Sequence, residues 1–224
     1  MSTTVQPKHT DRPGPVHDDG GLRPRPWHQA LVLRLASWSI LAMSGLIFVG
    51  FAGALFGSSA PFSIGNVEAV CGAAPLDVRP YSTANEVHQF LADCGQSGRV
   101  AYRNLQLADL FYPAISGLFM ASAMVLTATH LFPRRPSMVG LAALPLLGSG
   151  FDYTENVFAW RALAAYPDAA GTDSLLGLAS LAKTGTFWLA GILLLVGLAG
   201  LVVKTASNRL RSQGLSRRGP AAAR

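Results

Sequence analysis

The chain has 224 residues, of which 50% are hydrophobic and 13% charged, with a formal net charge of +6, and its mean hydropathy is positive. That balance argues against a water-soluble domain of this size and for a membrane protein. The excess of Lys and Arg does not imply a nucleic-acid partner, because no DNA-binding motif accompanies it and its distribution suits a lipid surface.

Residues 1–28 carry Pro7, Pro13, Pro15, Pro24 and Pro26 among Gly, Asp and Arg. Such a stretch buries too little apolar surface to offset the entropy of ordering it, so it reads as a disordered cytoplasmic tail. The first apolar run, about 30–57, exceeds the roughly 20 residues that a helix needs to cross a bilayer core of about 30 Å. Ser58-Ser59-Ala60 follows it, but the run is longer than a signal-peptide core and Pro61 would sit just past the cut, so it reads as a retained signal anchor. Gly53-x-x-x-Gly57 in this run suits close helix packing within the chain.

An outer segment follows, 58–106. Thr83-x-x-Glu86 has the spacing of a capping box, and Val87, Phe90 and Leu91 recur at helical spacing, predicting a short amphipathic helix at the membrane interface that ends near Gly95. Cys71 and Cys94 both lie in this segment, on the side where a bridge persists, and they are expected to form a disulfide. A thiol relay would need a close pair and a second pair to receive electrons. Arg99, Tyr102 and Arg103, with Arg161 just after the acidic face of the third run, then form a polar, cationic rim.

The second run, about 107–132, holds Asp109, with Tyr112 and Ser116 on the same face, and Pro113. After Arg134-Arg135 the third run, about 137–163, contains Pro145 and the most polar stretch of any span, Phe151-Asp152-Tyr153-Thr154-Glu155-Asn156. Asp152, Glu155 and Asn156 stand at i, i+3 and i+4, which puts them on one helical face. The fourth run, about 176–203, carries Lys183, and a basic tail from about 207 closes the chain. The prolines are expected to kink spans two and three near the polar residues. The predicted fold is an all-α integral membrane four-helix bundle with a disulfide-closed outer segment between helices 1 and 2. Arg12, Arg23, Arg25 and Arg34 before or at the start of span one, Arg134 and Arg135 between spans two and three, and Lys204, Arg209, Arg211, Arg217 and Arg218 after span four would all lie on one side, giving N- and C-termini in the cytoplasm and a multi-pass protein of the cell membrane.

Ionisable groups inside a span cost several kcal/mol unless paired, hydrated or protonated. Counted along their helices, Asp152 and Lys183 reach similar depths, so Lys183 is expected to pair with Asp152 or Glu155. Three carboxylates then meet one intramembrane Lys. Either the rim arginines reach inward or one acid keeps its proton. The alternative is a buried polar network that only sets helix register.

The pattern Gly98-Arg99-x-x-Tyr102, Asp109-Leu110-Phe111-Tyr112-Pro113 and Phe151-Asp152-Tyr153-Thr154-Glu155-Asn156, with Lys183 after it, resembles a recurrent one in small bacterial four-span membrane proteins. The resemblance covers roughly 82–190; it implies the four-helix layout and carries no catalytic assignment. A chemical analogy leads to membrane terpene cyclases and sterol isomerases, which protonate an alkene or epoxide with an intramembrane acid.

The function expected from these residues is acid–base catalysis on an apolar lipid or isoprenoid. Asp152 or Glu155 would donate the proton, Asp109 would assist or pair with an arginine, Asn156 and Tyr112 would orient the substrate, and Lys183, Tyr102 and Arg99 would tune the site. No cofactor is implied, and no His-rich set is present to hold a metal. A non-catalytic protein binding a membrane partner or lipid through its outer segment, and a proton-coupled transporter that dimerises, are the competing expectations.

Overall fold

Trp38–Phe56 forms the first helix, α1, in a computed structural model that describes residues 34–216, with side chains as far as Arg211. Most of its large side chains point away from the protein; Leu46 is 77% exposed. An apolar helix turned inside out in this way belongs in lipid rather than water. The same holds for the long last helix, α7, Asp173–Ser216, where Leu195 is 68% exposed. Three helices are long and apolar enough to cross a membrane: α1, the run Gly95–Leu131, and Asp173–Arg211. The expected third span, α6 (Ala143–Ala165), is not among them, because Asp152, Glu155 and Arg161 lower its hydropathy. It packs against α5 (Tyr112–Leu131) and α7 all the same.

The predicted boundaries shift in three places. Span two does not begin at 107: α4, Gly95–Asp109, leads into it and breaks at Leu110-Phe111 before α5 starts. Pro113 lies in the first turn of α5, so the break falls where proline's missing N–H is tolerated. Pro145 does not kink a span; it lies in the first turn of α6, after the 3₁₀ run Pro136–Ala142. The fourth helix continues past 206 to Ser216, into the stretch expected to be a basic tail. The expected disordered tail, 1–28, and the last residues of the basic tail lie outside the described residues.

The glycine pair in α1 also corrects the sequence reading. A Cβ on Gly53 would meet nothing within 4 Å, so this side of α1 is not an internal packing surface. Gly45 takes that role, lying close under the ring of Phe119 on α5.

Between α1 and α4 the outer segment folds as α2 (Ile64–Cys71), a 3₁₀ turn (Leu76–Val78) and α3 (Ala84–Asp93). No strand occurs among the described residues. The capping box forms: Glu86 N donates to Thr83 Oγ1 at 3.3 Å and Thr83 N donates to Glu86 Oε2 at 2.7 Å. Those bonds from Thr83 hold the Glu86 carboxyl below its ordinary range. Val87, Phe90 and Leu91 do not face a membrane interface. They join Leu55, Ile64, Val67, Leu76, Tyr102, Leu105 and Leu176 in a buried core that ties the outer segment to the ends of α1, α4, α6 and α7. A second apolar core, built on Ala121, Met124, Val125, Ala142 and Ala190, lies toward the other end.

Cys71 and Cys94 are bonded, as expected, linking the end of α2 to the end of α3. Gly98 makes room for the bridge, since a Cβ there would come within 2.8 Å of Cys71 Sγ. Closing a loop of this size removes about 3 kcal/mol of unfolded-state freedom. Replacing both cysteines by alanine should lower the apparent melting temperature in detergent, and dithiothreitol should do the same to the wild-type protein. Equal melting of all three samples would refute that role.

Candidate functional site

The polar residues of α6 divide into two rows. Ser149, Tyr153 and Asn156, at i, i+4 and i+7, face the break between α4 and α5, where Pro113 has no N–H to offer the Asp109 carbonyl. Ser149 Oγ donates to Pro113 O at 2.7 Å, Tyr153 OH to Leu110 O at 3.1 Å, and Asn156 Nδ2 to Asp109 O at 3.5 Å. This row stitches α6 to the break. Asn156 therefore stands apart from the two acids it was expected to accompany, and it serves the backbone at the base of Asp109.

Asp152 and Glu155 form the other row and meet α7. Lys183 Nζ lies 3.4 Å from Asp152 Oδ1 and pairs with Glu155 Oε2. Ser180, one turn before Lys183, donates its hydroxyl to Glu155 Oε1. Lys183 also donates to the backbone carbonyl of Asp77 at 2.8 Å. The expected ion pair is thus present, and it reaches a third element, the 3₁₀ turn of the outer segment.

Asp77 is the residue that sequence reasoning missed. Its carboxyl accepts from Tyr102 OH at 2.6 Å and from Gln106 Nε2 at 2.7 Å, two side chains one turn apart on α4. Arg79 braces the turn by donating to Ala74 O at 3.0 and 2.6 Å while lying over the Phe90 ring. The fourth acid was hidden because it lies 106 residues from Lys183 in a segment with no apolar run around it. Only the excess of acids over cations hinted at a larger network.

Burial pushes the Asp77 carboxyl above the ordinary aspartate range, opposed by Lys183 and by the hydrogen bonds from Tyr102 and Gln106. An acid raised in the folded state stabilises the fold while protonated and loses that contribution as pH rises through its folded value. Asp77→Asn should leave the network intact, because Gln106 Oε1 has no partner and the Gln106 amide can turn over to accept from the new side chain. The wild-type melting temperature should then fall, as pH rises from the acid side, by a component that the variant lacks. Parallel melting curves for the two proteins would contradict this assignment.

The rim arginines do not neutralise the cluster. Arg99 donates to Leu91 O at 2.8 Å and stacks on Tyr166, Arg103 lies over Trp160, and Arg161 is exposed. Four carboxyls, those of Asp77, Asp109, Asp152 and Glu155, are gathered around the single ammonium of Lys183. Asp109 differs from Asp152 and Glu155 in making no ion pair, and from Asp77, which accepts hydrogen bonds on both carboxyl oxygens, in that its buried Oδ2 has no hydrogen-bond partner within the protein. Among the described residues no group of three or more His, Cys, Asp or Glu is placed to hold a metal ion.

These groups border a cavity of about 570 Å³. Asp77, Asp109, Asp152 and Lys183 form its polar wall, with Tyr112 and Ser116 beside them. Glu155, Asn156, Tyr102 and Arg99 are not part of the lining. Thr184 of α7 also lines it, and the rest is apolar, chiefly Phe48, Leu55 and Phe56 from α1, Met120 from α5, and Phe187 and Trp188 from α7. Helix α1 lies against α5 and stands off α7, and the cavity occupies the gap. Trp188, 69% exposed, and Phe56, 53% exposed, flank it on the outward-facing surface. The cavity therefore opens sideways, between two helices whose outer faces are apolar.

No family model matches the sequence, and neither a curated protein nor a solved structure was found to match it.

Proposed function

We propose that this is a four-span membrane protein with both termini in the cytoplasm, and that its outer end is an acid–base site for an apolar lipid or isoprenoid substrate entering from the bilayer. The observation that carries the reading is the cavity, which places a carboxyl outside any ion pair, that of Asp109, with one oxygen free of hydrogen bonds within the protein, beside the aromatic lining of a chamber open between α1 and α7. A proton donor needs its acid within reach of the substrate and sheltered from water. Asp152 and Glu155 are engaged by Lys183, so the donor role moves from them to Asp109. Asp152 becomes the neighbouring base, and Tyr112 positions the substrate. Because the proton returns to the protein, the reaction class is isomerisation or cyclisation.

The fourth span is α6. Its Asp152 and Glu155 are buried against Lys183, so its polar groups are hidden from lipid despite its lower hydropathy. One-sided placement of the cations is supported by Lys204, which donates to His130 O at 2.7 Å, and by Trp38, whose ring meets that of His130. The ends of α1 and α5 and the basic stretch of α7 thus lie together, the arrangement that favours the cytoplasmic side.

Filling the chamber tests the reading. Thr184→Phe adds a ring to the cavity wall and should abolish the lipid product, seen by comparing lipid extracts of a deletion strain carrying the wild-type or variant gene. An unchanged lipid profile from a folded variant would rule the chamber out as a substrate site. Exposed Phe62, Val70 and Tyr81 on the outer segment support a second reading, in which that surface binds a membrane partner. Substituting those three and leaving the chamber intact separates the two.

A further inference from the structure

The walls of the cavity narrow the substrate class, given the acid–base reading above. Five aromatic side chains line it: Phe48, Phe56, Tyr112, Phe187 and Trp188. Three of them form a continuous patch beside Asp109, with the Tyr112 ring centroid 5.7 Å from that of Phe56 and 6.1 Å from that of Phe48. Aromatic faces attract positive charge. The polar wall attracts it too, since the acids there outnumber the one cation, and Lys183 is already held by Asp152, Glu155 and the Asp77 carbonyl. A phosphate head group would be repelled from such a wall, and a saturated acyl chain would leave its charge unmatched. The surroundings suit an apolar molecule that becomes positive at one carbon. The volume, about 570 Å³, leaves room for the reacting part of such a molecule, and the sideways opening lets the rest of its chain extend outward.

We propose that the substrate is an isoprenoid alkene, protonated by Asp109 to a tertiary carbocation that the aromatic wall and the carboxylates hold until a proton is returned. The alkene π pair forms the new C–H bond with the Asp109 proton, leaving Asp109 as the carboxylate and the positive charge on the more substituted carbon. A neighbouring C–H then gives its proton to Asp109 or Asp152, and its electron pair becomes the double bond of the product. Where a second alkene of the same chain attacks the cation first, its π pair forms the ring bond before the proton is lost. Either way the product is an isomer of the substrate, and no oxidant or reductant is consumed.

The test uses the full chain in lipid nanodiscs with three probes of equal length: a polyprenyl alcohol, its saturated counterpart, and a tertiary amine that is cationic at neutral pH and mimics the carbocation. The amine should bind about tenfold more tightly than the saturated alcohol. Phe187→Leu and Trp188→Leu should weaken binding of the amine more than that of the saturated alcohol and so shrink that ratio. In D₂O the wild-type protein should place carbon-bound deuterium in the polyprenyl alcohol, and Asp109→Asn should not. Equal binding of amine and saturated alcohol, or an alkene that binds without gaining deuterium, overturns the carbocation while leaving a lipid-binding chamber. If none of the three probes binds to folded protein, the chamber itself is not a substrate site and both proposals fall.

Discussion

Lys183→Met should cost the fold about 3–5 kcal/mol, the range expected when one partner of a buried ion pair is removed. Lys183 neutralises Asp152 and Glu155 and holds the carbonyl of Asp77. Its loss strands two buried carboxylates, and methionine fills the space of the stem without replacing a single donor. For a chain of this length the apparent melting temperature should fall by on the order of 10 °C. Part of that loss should be recovered in Lys183→Met combined with Glu155→Gln, because the second change removes one of the stranded charges and keeps a side chain that can accept from Ser180. A single variant that melts with the wild type would mean that the pair contributes little to holding α6 on α7. The double variant failing to recover would mean that the damage comes from the lost contact with Asp77.

Asp109→Asn should do the opposite, sparing the fold and removing the chemistry. The side chain has the same shape, makes no ion pair, and has one oxygen without a hydrogen-bond partner, while its contact with the Asn156 amide can be kept by the oxygen of the new amide. Loss of a positioned general acid typically costs 10²–10⁴-fold in rate, and an amide has no proton of the required acidity to give. Turnover measured in nanodiscs should drop by about that factor while the melting temperature stays near that of the wild type. Turnover within about tenfold of wild type would remove Asp109 from the mechanism. Asp152→Asn is the informative companion, since it alters the charge balance at Lys183 as well as the cavity wall and should affect both measurements.

The parts of this fold that were legible in the sequence are those governed by local chemistry. Thr83 and Glu86 announce a helix start because the capping bonds join residues three apart, and Asp152, Glu155 and Lys183 announce a buried pair because isolated charges in apolar runs need partners. Three of the four runs have helices of spanning length and hydropathy because that property is additive along the chain. What stayed hidden depends on distant segments meeting. Nothing near Asp77 indicates that its turn reaches under α7. The separation of Asn156 from Glu155, one residue apart yet serving different neighbours, follows from where the α4–α5 break falls. Helical spacing places side chains on a face, but a face about a hundred degrees wide can touch two partners. Arg99 and Arg103 misled for a related reason: their position before a polar span suggested inward charges, whereas nearby carbonyls and rings already satisfy them.

The bridge between Cys71 and Cys94 closes the loop that carries Asp77, and the carbonyl of Asp77 is one of the groups that holds Lys183. In the proposed topology that loop reaches its final form only after it has been exported and oxidised. A newly inserted chain would have its helices in place and its acids buried before the roof over them was secured. Maturation of the protein and completion of its chamber would then be one event, timed by the far side of the membrane, and chains that failed to cross would be kept from acting on lipids in the wrong leaflet.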